Sequence, residues 1–94
     1  KKRKYIYYIM TINNNYFICR NNLIIFTDYF NEPLNDYIEI INKYDTIFFG
    51  KLFNQDISIL PPSINIIIFD SDSIFNQEIK DFPITPIYKK MGHF

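Results

Sequence analysis

The chain has no alanine, no valine and no tryptophan among its 94 residues. Lacking the strongest helix former, and holding 20 Ile, 10 Phe and 8 Tyr, it favours strands over helices. A single cysteine, Cys19, excludes an intrachain disulfide and leaves a thiol without the second Cys or nearby His that a nucleophile or soft metal site needs. The one histidine, His93, has no catalytic Ser or Cys context, so no base with a partner can be assembled around it. Gly50 and Gly92 are too far apart to cradle a phosphate, and no Lys-Ser/Thr follows either. No apolar run approaches the ~18 residues of a membrane helix. The basic start followed by Tyr5-Ile6-Tyr7-Tyr8-Ile9-Met10 is too Tyr-rich, and lacks the small-residue cleavage site, for a signal peptide. Together with the absence of an Asn-x-Ser/Thr sequon, these features point to a cytoplasmic chain with no catalytic residues, metal or cofactor.

Formal net charge is zero, with 10 basic and 10 acidic residues, but the signs are segregated. Lys1-Lys2-Arg3-Lys4 holds four bases, read as a solvated terminus. From Asn21 to Tyr88 there are three bases and all ten acids, which leaves −7. A surface so charged does not track phosphates, which argues against nucleic acid as partner.

Against these absences stands one recurrent phrase. Phe30-Asn31-Glu32-Pro33-Leu34 returns as Phe53-Asn54-Gln55-Asp56-Ile57 and again as Phe75-Asn76-Gln77-Glu78-Ile79, at spacings of 23 and 22 residues. An apolar run precedes each copy, near 23–26, 46–49 and 65–69. A fixed period of this length predicts stacked coils, each adding one strand to a parallel sheet in chain order. Side chains alternate along a strand, so Ile24 and Phe26, Ile47 and Phe49, and Ile67 and Phe69 share one face. Phe30, Phe53 and Phe75, with Leu34, Ile57 and Ile79, close the coils further round. Tyr16–Ile18 reads as the outer return of the first coil. Between the first two strands, 35–43 reads as a short helix capped by Asn35, with Ile38 and Ile41 inward. In the next coil Pro61-Pro62 forbids a regular helix and predicts an extended or polyproline-like return.

Leu60-Pro61-Pro62-Ser63-Ile64, then Ile67-x-Phe69, then Phe75-Asn76-Gln77-Glu78-Ile79 resembles the FNIP repeat, a degenerate relative of leucine-rich repeats. The resemblance spans about residues 17–81, although Phe17-Ile18 and Ile40-Ile41 stand where the Leu-Pro pair is expected. It implies a β-rich, leucine-rich-repeat-like solenoid serving protein–protein interaction, in a family whose members often carry an F-box. No F-box pattern occurs in these residues. The organisation expected is a basic, aromatic capping strand over 1–16, three repeats over 17–81, and a degenerate or cut further repeat over 82–94. The chain then reads as a segment of a longer protein.

Two sets of side chains are candidates for function. Asn31, Asn54 and Asn76 sit where each coil turns; their carboxamides are expected to bond buried backbone groups in a ladder from coil to coil. The second set is the opposite strand face: Leu23 and Ile25, Thr46 and Phe48, Ile66 and Ile68. An open sheet face is normally polar, yet the central column Ile25–Phe48–Ile68 is apolar. Either another segment covers it or it docks a protein partner. Asp70-Ser71-Asp72-Ser73, which lengthens the third copy, reads as a solvated insertion lacking the Gly and Glu of a calcium loop. The alternatives to an interaction module are a structural spacer within a longer stack and the substrate-receptor part of an F-box protein.

Overall fold

The computed structural model describes residues 16–79 and, for the backbone alone, 87–91. The expected capping strand before Tyr16 lies outside the described residues, as does most of 82–94. Strand β1 (Phe17–Arg20) turns through Asn21-Asn22 into β2 (Leu23–Phe26), and the two pair antiparallel, Phe17 opposite Phe26 and Arg20 opposite Leu23. Asn21 has φ 53, a left-handed conformation that two-residue hairpin turns demand and Asn tolerates.

From β2 onward every pairing is parallel. β3 (Thr46–Phe49) adds to β2, β4 (Ile66–Asp70) to β3 and β5 (Ile87–Met91) to β4, giving one sheet in the order β1-β2-β3-β4-β5. The register pairs Ile24 with Ile47 and Ile47 with Ile67, and likewise Phe26, Phe49 and Phe69. The three strands expected from the apolar runs therefore pair in chain order. The sheet as a whole is mixed, not parallel, because β1 returns through a two-residue turn that leaves no room for a crossover. Tyr16–Ile18 is accordingly the start of that hairpin rather than an outer return.

One face of the sheet forms the core. Ile24, Phe26, Ile47, Phe49 and Ile67 are fully buried there, and Phe30, Leu34, Ile41, Phe53 and Ile57 close over them from the loops and returns. Phe30 and Phe53 stack at 5.9 Å and 7°, Phe53 and Phe75 at 6.1 Å and 1°, and Phe49 lies 3.9 Å from Phe53. Burying such a side chain contributes about 1.5–3 kcal/mol. Ile79 departs from expectation: it is exposed, whereas Leu34 and Ile57, in the same place in the earlier phrases, are buried.

The two returns differ as their prolines dictate. After Pro33 the chain makes a 3-10 turn (Leu34–Tyr37) and one turn of α-helix, α1 (Ile38–Ile41), which buries Ile41 and half-buries Ile38. Asn35 is not the cap; it lies within the 3-10 turn, exposed. Pro33, with its fixed φ, starts the turn earlier and takes the cap position without a side-chain bond. In the next return the backbone makes two tight turns, Leu60 N–H to the Ile57 carbonyl and Ile64 N–H to the Pro61 carbonyl, both 3.1 Å. Pro62 occupies the second turn's favoured proline position, so that return is turned and not extended.

Gly50 follows β3 and lies against the backbone of Thr27 and Asp28, just after β2. A Cβ there would sit 2.7 Å from the Thr27 carbonyl carbon and from Asp28 N and Cα, so only glycine lets the two backbones meet.

Candidate interaction site

The parallel pairing does not stop at the strand ends. Gly50 N–H donates to the Phe26 carbonyl at 3.0 Å, Leu52 N–H to the Asp28 carbonyl at 3.1 Å, and Ile74 N–H to the Lys51 carbonyl at 3.0 Å. This repeats the slanted bonding of a parallel ladder, so Tyr29, Leu52 and Ile74 come into line across the stack. One residue on, the three phrase Phe side chains stack inward. The Asn residues follow.

Asn31 Oδ1 accepts from Asn54 N–H at 2.8 Å and from Gln55 Nε2 at 2.9 Å. Asn54 Oδ1 accepts from Asn76 N–H at 3.0 Å and from Gln77 Nε2 at 3.1 Å. The same Gln nitrogens also reach the Asn31 and Asn54 carbonyls, at 3.3 and 3.4 Å. The asparagines thus link successive phrases, with two differences from the arrangement expected. Their oxygens act as acceptors and the neighbouring glutamines supply the side-chain donors. Asn31 and Asn76 are exposed and Asn54 half-buried, so the ladder ties loops together at the surface instead of satisfying buried groups.

The apolar sheet face is covered at its centre. Phe48 is 3% exposed and Ile68 7%, while Leu23, Ile25, Thr46 and Ile66 are half-buried. Phe48 and Ile68 stand apart from the core cluster, on the opposite side of the sheet. Thr46 Oγ1 donates to Asp45 Oδ1 at 2.8 Å, which turns that residue to its own strand end. The side chain proposed from sequence as the centre of a docking face is therefore among those least available to a partner.

Among the described residues the exposed large apolar side chains are Ile18, opposite Ile25 at the edge of this same face, Ile79, and three on the phrase loops. Tyr29 is 80% exposed, Leu52 42% and Ile74 53%. The phrase as read from the sequence begins at its Phe and omits the residue before it. Alternation was the available signal: with Phe30, Phe53 and Phe75 turned in, an extended chain turns their predecessors out.

The third loop holds its two extra residues by folding them onto Asp70. This carboxylate is buried, accepts from Asp72 N–H at 2.8 Å, and its carbonyl accepts from Ser73 N–H at 2.9 Å. The insertion is an anchored turn, not merely a solvated one. Other polar groups are locally committed. Tyr37 donates to Glu32 Oε1 at 3.1 Å, and burial together with that bond raises its phenol above the ordinary value. Tyr44 is pushed up to about 12 by its hydrogen bond with the Cys19 sulfur and by burial. Asp56 lies below the usual carboxylate range because the Ser58 N–H and hydroxyl both donate to it.

Among the described residues no helix is long and apolar enough to cross a membrane. No protein-family model, curated protein or solved structure matches this chain.

Proposed function

We propose that this chain is a non-catalytic protein–protein interaction module built from FNIP-like repeats, a short leucine-rich-repeat-like solenoid acting in the cytoplasm. The observation that carries this reading is the in-register stacking of three sequence phrases, through parallel backbone bonds and through the Asn–Gln ladder. Such cross-linking fixes equivalent surface positions at a spacing of about 4.8 Å, which is how a stack of short coils builds an extended binding surface. The surface offered lies on the outer side of the phrase loops. Phe48→Asp is expected to unfold the chain, visible as loss of the strand signal in circular dichroism, because it buries a charge.

Capture on the immobilised chain tests the reading. Extract of the source cells is passed over wild-type protein and over the unfolded Phe48→Asp control. Saturable retention of a protein by the folded chain alone is expected. If nothing is retained saturably, the spacer reading replaces it.

A further inference from the structure

We propose that the column Tyr29–Leu52–Ile74 binds an extended peptide segment of another protein that carries apolar side chains flanked by Lys or Arg. The inference rests on the interaction-module reading and deepens it by naming the partner's chemistry. Single exposed apolar side chains are ordinary on protein surfaces. Here three of them occupy successive phrases at one register position, separated by a strand spacing of about 4.8 Å. The backbone beneath is not free to collapse over them. It is pinned from inside by the stacked phenylalanines and from the next position by the Asn ladder.

The surroundings specify charge. Across 28–32, 51–56 and 71–76 the acids are Asp28, Glu32, Asp56 and Asp72 and the one base is Lys51, so these loops carry −3. None of these side chains is buried. The groups bonded to three of the carboxylates are neutral: Lys51 N–H on Asp28, the Tyr37 hydroxyl on Glu32, and the Ser58 N–H and hydroxyl on Asp56. Among the described residues, then, none of these bonds is to a cation. Coils about 4.8 Å apart lie well within the ~10 Å screening length at 0.1 M salt, so the loops act as one negative rim. An apolar strip inside such a rim selects apolar side chains that arrive with cations and repels acidic competitors. Geometry favours an extended ligand. The column spans about 10 Å, and alternate residues of an extended chain recur every ~6.8 Å, so two or three apolar side chains seat along it.

The test titrates the full chain against fluorescein-labelled peptides of alternating Lys and Leu, alternating Lys and Ser, and alternating Glu and Leu. The Lys/Leu peptide is expected to bind saturably, more weakly as salt rises, and at least tenfold more tightly than the other two. Leu52→Asn and Tyr29→Ser, both at exposed positions and checked for unchanged circular dichroism, are each expected to weaken it about tenfold. Equal affinity for the Lys/Ser peptide would reduce the site to bare electrostatics and overturn the proposal. So would undiminished binding by both variants, preference for the Glu/Leu peptide, or a self-association that Leu52→Asn abolishes, since the column would then belong to a second copy. If these peptides fail while extract capture persists, the partner chemistry is wrong and the module reading stands. If capture fails as well, both fall.

Discussion

Phe30, Phe53 and Phe75 stand beside Tyr29, Leu52 and Ile74 on the same three loops, one residue away, with opposite surroundings. The first set stacks inward with ring planes within 7°. The second faces water, 42–80% exposed. Both sets are apolar, so hydrophobicity alone does not sort them; alternation along an extended backbone does. The inward set is uniform in kind, which suits parallel stacking of flat rings. The outward set mixes an aromatic with two aliphatic residues of different shape, as largely exposed positions permit.

The sharpest way to break this comparison is to truncate one member of each column. Phe53→Ala removes a fully buried ring stacked on Phe30, Phe49 and Phe75, and is expected to cost about 3–5 kcal/mol. Leu52→Ala, its neighbour, is expected to change stability by no more than about 0.5 kcal/mol. Urea denaturation of the two variants measures the gap; equal midpoints would mean that the columns are not distinguished by burial.

Next in size is the contact that holds the loops in register. Gly50→Ala puts a methyl group 2.7 Å from backbone atoms of Thr27 and Asp28, none of which is the end of a flexible side chain. Relief requires parting the two coils, at an expected cost of about 1–3 kcal/mol. Hydrogen exchange should show faster exchange at Gly50 and Leu52 N–H, whose acceptors lie on the coil before. Protection unchanged at both amides would show that the close approach does not set the register.

The Asn ladder comes third. Asn54→Ala removes the oxygen that accepts from Asn76 N–H and Gln77 Nε2. Because water can replace an acceptor at this half-exposed position, the loss should be about 0.5–1.5 kcal/mol rather than the larger cost of a buried orphan. Asn65→Ala, exposed at the entry to β4, should be near neutral. Equal melting shifts for the two would deny the ladder any stabilising part.

The smallest effect spares both columns and so provides a control. Tyr44 has its pKa raised from 10.0 to about 12 in the folded chain, so the folded state holds this proton more tightly than the unfolded one. Its contribution is complete below pH 10 and is lost as pH rises toward 12. Denaturation midpoints should fall over that window, and less steeply in Tyr44→Phe. An unchanged slope in the variant would show that another group controls the alkaline limit.

Much of this molecule was legible in its sequence because period and alternation are local properties of a chain. The spacing of Phe30, Phe53 and Phe75 dictated which residues become neighbours across the stack. The apolar runs dictated three strands, and Pro61-Pro62 excluded a helix from the second return. The asparagines declared a linkage between the three phrases by standing in the same place in each. Other features depend on distances between segments that no local pattern encodes. Whether Phe48 is surface or interior is set by what lies over it, and it is buried. Whether the asparagine carboxamides are buried or wet depends on how far the loops project, and Asn31 and Asn76 lie exposed with Asn54 half-buried. That Gly50 is required follows only from the approach of Thr27 and Asp28, 22 and more positions earlier in the chain. The direction of β1 was decided by the two-residue turn at Asn21-Asn22 and by the pairing of Phe17 with Phe26, which the repeat period does not reach. Sequence fixes which side chains recur and on which side of the backbone they leave it; burial is a property of the space between segments, and only the folded chain defines that space.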